Sequence, residues 1–146
     1  MIKAAMTASI PVLAALALLA AGDAAPLPVQ HPWDGAERIE SNGGGYVVFL
    51  RTDPSPIPEN EEFSVTAWVF APDAPDEPLA DVSLDVDAAM PEHGHGMNRV
   101  PEITRRDDGR FDAEGLLFHM GGRWELYLDV TRGPITERAQ RAVTLE

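Results

Sequence analysis

The segment 80–88, "ADVSLDVDA", alternates with a period of two. Val82, Leu84 and Val86 fall on one face, and Asp81, Ser83, Asp85 and Asp87 on the other. That pattern fits a strand with one buried and one wetted face, and it offers a helix no apolar stripe. Six further runs share the texture: "YVVFLRT" (46–52), "FSVTAWVFA" (63–71), "RVPEITRR" (99–106), "RFDAEGLLF" (110–118), "WELYLDV" (124–130) and "RAQRAVTL" (138–145). In 124–130 the expected inward residues are Trp124, Leu126, Leu128 and Val130. Pro101 lacks an amide hydrogen, so 99–106 is expected at a sheet edge. Asp108-Gly109 is a hairpin-turn dipeptide. No segment sustains a helical period. The expected fold is all-β, an antiparallel immunoglobulin-like β-sandwich of about seven strands.

The N-terminus reads as an export signal. Lys3 precedes an apolar run over 4–21, and Gly22 and Ala24 are small residues placed for cleavage after Ala24. Residues 1–24 are therefore expected to be a signal peptide and 25–44 an extended lead-in rich in Pro and Gly, with the β-sandwich domain over 45–146. The expected location is periplasmic or extracellular; an uncleaved N-terminal membrane anchor is the alternative.

The chain has no cysteine, so neither a disulfide nor a thiolate ligand is available. Its net charge of −13 repels nucleic acid and anionic lipid, and favours cations and basic partners. Nothing points to catalysis. No phosphate-binding loop opens a helix, the serines stand apart from the histidines, and Asp107-Asp108 reads as a solvated turn. A non-enzymatic protein is expected, with no small-molecule substrate.

The segment with unusual chemistry is "AMPEHGHGMNRVP", residues 89–101. If strand 80–88 runs upward, loop 89–98 lies at the top. Strand 99–106 runs down, Asp108-Gly109 turns at the bottom, and strand 110–118 returns to deliver "HMGG" (119–122) to the same pole. Met90, His93, His95, Met97, His119 and Met120 are thus expected at one pole. Imidazole with thioether suits copper, with the thioether favouring Cu(I), whereas zinc gains little from it. Two readings follow. In one, the six residues form a copper site that exchanges its ion with a partner. In the other, the loop is a structural turn in a periplasmic interaction or assembly module and binds no metal.

Residues 89–130 resemble the YtkA-like domain, a group related to FixH-like proteins. The resemblance rests on Met90-Pro91, the run His93-Gly94-His95-Gly96-Met97, Pro101, Asp108-Gly109 before an aromatic residue, Met120, Gly122 and Trp124-Glu125-Leu126. It implies a small immunoglobulin-like β-sandwich, exported or membrane-anchored. FixH-like relatives are associated with a membrane cation pump and with cytochrome oxidase maturation. The resemblance therefore implies a link to copper and to a copper-receiving or membrane-associated partner.

Overall fold

The computed structural model describes residues 29–146; the expected signal peptide lies outside the described residues. Described are β1 (Glu37–Glu40), β2 (Val47–Asp53), β3 (Glu62–Phe70), β4 (Ser83–Met90), β5 (His95–Gly96), β6 (Glu102–Arg105), β7 (Phe111–Leu117), β8 (Gly122–Arg132) and β9 (Ile135–Leu145). They form two antiparallel sheets, ordered β1-β2-β3-β7-β6 and β5-β4-β8-β9. Leaving aside β1 and β5, the orders β2-β3-β7-β6 and β4-β8-β9 are those of the two sheets of an immunoglobulin constant domain.

All seven expected strands are present, and two short ones join them. β1 lies within the expected lead-in and pairs with β2, from Glu37 opposite Leu50 to Glu40 opposite Val47. β5 lies within the His-rich loop, with His95 opposite Met90. Both are too short for sequence alternation to reveal them, since two to four residues contain no readable period. β6 is an edge strand, as expected, and begins just after Pro101.

The core lies between the sheets. β4 contributes Leu84, Val86, Ala88 and Met90; β8 contributes Trp124, Leu126, Leu128 and Val130; β3 contributes Phe63, Val65, Ala67 and Val69. Each large apolar side chain removed from water in this way is worth roughly 1.5–3 kcal/mol. The opposite face of β3 is not simply wetted. Trp68 and Phe70 are buried with Val47 in a second cluster, covered by Trp33, Ala36 and Phe49. Trp33 meets Phe70 edge-on at 4.9 Å, so the segment before β1 covers part of the outer face of the sheet.

One seam between the sheets is tied at the bottom. Ser41 bridges to Ala139, and the Asn42 amide donates to the Arg138 carbonyl at 2.8 Å. The "SNGGG" hairpin also grips a carboxylate. Glu137 accepts from the Ser41 hydroxyl at 2.6 Å and from the Gly45 amide at 3.0 Å. A Cβ at Gly43 would stand 2.6 Å from that carboxylate, which is why the hairpin is glycine there.

Candidate metal site at the upper pole

The pole is built from the ends of β4, β7 and β8. After β4, the His93 and Gly94 amides both donate to the Met90 carbonyl at 3.0 Å, and Gly94 takes φ +69°, a left-handed turn that glycine adopts without strain. The chain then folds back on β4 as β5, and the Met97 amide donates to the Ala88 carbonyl at 3.1 Å. After β7, the corner at 118–122 is held from two sides. The Asn60 amide donates to the Phe118 carbonyl at 2.7 Å, and Trp124 Nε1 donates to the Met120 carbonyl at 3.0 Å.

These constraints bring three imidazoles together. The ring centres of His93 and His95 are 5.8 Å apart, and those of His95 and His119 are 5.2 Å apart. His95 is the middle member of this chain of rings. Beneath them lies Trp124, fully buried, with its ring centre 5.9 Å from His95 and 5.4 Å from His119. Trp124 is itself stacked on Phe118 at 4.4 Å, nearly parallel. The floor of the pole is therefore a rigid aromatic pair continuous with the core.

The ring nitrogens differ in their partners. His95 Nδ1 lies 3.2 Å from the Gly96 carbonyl oxygen. A carbonyl only accepts, so Nδ1 carries the hydrogen and neutral His95 keeps its lone pair on Nε2. His119 Nδ1 is buried and has no hydrogen-bond partner among the described residues. A buried polar atom left unpaired costs about 1–3 kcal/mol.

The methionines fall into two classes. Met90 is 1% exposed and is a core residue. Its Cε would stand 2.8 Å from a Cβ at Gly122, so the two positions are fitted to one another. Met97 and Met120 are partly buried and pack on the rim of the core. Around the pole stand carboxylates: Glu92 is exposed in the loop, and a Glu59 oxygen lies 3.5 Å from where a Gly121 Cβ would be. Among the described residues no three His, Asp or Glu side chains are grouped so as to hold a metal ion.

All six sequence-predicted residues thus occur at the upper pole, five of them on its surface or rim and Met90 beneath it. Trp124 was anticipated only as a core residue. Its contact with His95 is non-local, and no spacing in the chain signals it. Glu59 belongs to the 54–61 connection, whose place at this pole likewise depends on the pairing of β2 with β3.

The chain has no significant match among curated proteins or solved structures. The family model described as YtkA-like matches residues 40–129, from the end of β1 to the middle of β8, and so includes every residue of the pole. The chain belongs to the YtkA-like family.

Proposed function

We propose that this is an exported, non-enzymatic copper-binding domain that passes its ion to a protein partner. The observation that carries the reading is the run of three imidazoles, two of them on Trp124, with the buried Nδ1 of His119 unpartnered among the described residues. His95 and His119, with thioether from Met97 and Met120, form a soft ligand set suited to Cu(I). His93, exposed at the loop tip, is the ligand best placed to exchange. We assign Met90 to packing. The surrounding carboxylates and the net charge of −13 draw cations toward the pole.

A second reading has its own support. His95 and His119 both pack against Trp124, and no three His, Asp or Glu groups are grouped to hold an ion among the described residues. On that reading the pole is an aromatic and thioether cap that shapes a protein interface.

Cu(I) competition against a calibrated chelator separates the two. The first reading expects one-to-one binding by the wild-type protein and its loss in a His93→Ala/His95→Ala variant that folds normally. If both proteins fold alike and neither competes with a weak chelator, the copper reading fails.

A further inference from the structure

The sandwich has an open side. β4 pairs with β8 from Ser83 opposite Thr131 to Ala89 opposite Glu125. Along its other edge, β5 covers only Ala89 and Met90. The bond from the Met97 amide to the Ala88 carbonyl shows that even-numbered residues of β4 direct their backbone groups toward this edge. Leu84 and Val86 therefore present N–H and C=O groups where, among the described residues, no strand of the sheet follows. Beside them is a groove of about 320 Å³, with Val82, Leu84, Ile103 and Phe111 among its lining residues. Arg105 closes one end, its guanidinium 5.3 Å above Phe111 and bonded to the Leu79 carbonyl at 3.0 Å.

Charge says what fits there. The outward side chains along this stretch are Asp81, Ser83, Asp85 and Asp87. Asp81 is paired with Arg132 at 2.8 Å, and one oxygen of Asp87 accepts from the Ala88 amide. Asp85 has no ion-pair partner among the described residues and lies opposite Asp129 in the ladder. Antiparallel self-pairing of two copies through this edge would set aspartate against aspartate, which is unfavourable. A strand with cationic residues at alternate positions would instead meet Asp85 and Asp87 on the outer face. Its intervening apolar side chains would enter the groove.

We propose that the Leu84–Val86 edge of β4 is a docking site for an extended partner segment that alternates basic and apolar residues. The segment adds a strand in line with β5, so its near end meets Met97 at the pole. The inference stands apart from the copper reading, and metal-free protein tests it.

The probe is a blocked peptide of alternating lysine and valine, added to isotope-labelled protein. The matched control carries glutamate in place of lysine. Amide exchange at Leu84 and Val86 is expected to slow with the lysine peptide alone. Asp85→Lys, at an exposed position, is expected to weaken binding by about tenfold or more, and Ser83→Lys to act in the same direction. The proposal is overturned by absence of binding, by equal binding of the glutamate peptide, or by binding that leaves those two amides unprotected. Protection that grows with protein concentration without peptide would also overturn it, assigning the edge to a second copy.

Discussion

Met90 and Gly122 show how tightly single residues determine this pole. Gly122 combines φ +116° with a position where a Cβ would fall 2.8 Å from Met90 Cε. Gly122→Ala is expected to cost about 1–3 kcal/mol, measured as a lowered urea midpoint at unchanged slope. Met90→Ala removes a buried side chain and is expected to cost about 2–5 kcal/mol. Met90→Leu preserves volume and is expected to leave Cu(I) affinity unchanged, in keeping with a packing role; a large loss of affinity would make Met90 a ligand. Glu137 supplies a pH effect. The Ser41 hydroxyl, and next the Gly45 amide, hold its carboxyl below its ordinary value. A depressed carboxylate pKa contributes stability that is present above the unfolded value and lost as pH falls through the folded one. Glu137→Gln should therefore flatten the acid limb of the stability profile below about pH 4.5, read from urea midpoints across pH.

At the scale of elements, the alternation in β4 and β8 was legible because each strand has one buried face. Leu84, Val86 and Ala88 are inward, as are Trp124, Leu126, Leu128 and Val130. β3 was only half legible. Its second face carries Trp68 and Phe70, whose burial depends on Trp33 arriving from before β1. Trp33→Ala is expected to destabilise the domain by about 1–3 kcal/mol while leaving the ring contacts of the pole intact. Denaturation with the histidine NMR signals as a second readout checks both parts. Shifted histidine signals in the folded variant would tie the two faces together more closely than the packing does. Glu125 is a further case of hidden context. It alternates outward, yet is 5% exposed, and it is held by Arg123 at 2.7 Å and Gln140 at 3.0 Å.

For the whole molecule, the proposed copper binding at the pole implies a link between ligand and stability of the fold. His93 and His95 come from the β4–β5 hairpin and His119 from the crossover between β7 and β8, and two of the three rest on a core tryptophan, so an unfolded chain lacks the arrangement. On the copper reading, Cu(I) at a hundredfold excess over its dissociation constant should raise stability by about 2.7 kcal/mol, and the His93→Ala/His95→Ala variant should lose that gain. Thermal unfolding with and without Cu(I) measures it. The acidic surface acts in the other direction: self-repulsion at −13 is relieved by screening, and moderate salt is expected to raise the melting temperature of the metal-free protein.

The sequence by itself determined the all-β class, the two-faced strands, the edge position of β6 and the convergence of two loops at one pole. Period-two burial and turn chemistry are local properties, and counting strands up and down needs no distances. Only tertiary structure decided that β1 and β5 exist, that Met90 lies under the pole, and that Trp124 supports His95 and His119. The physical reasons are that β1 and β5 are pairings too short to carry a period, and that the places of Met90 and Trp124 depend on contacts with Gly122 and His95, far apart from them in the chain. Two-residue pairing, a methyl fitted against a glycine and an orphaned ring nitrogen have no periodic signature, and they are defined only when the sheets close on one another.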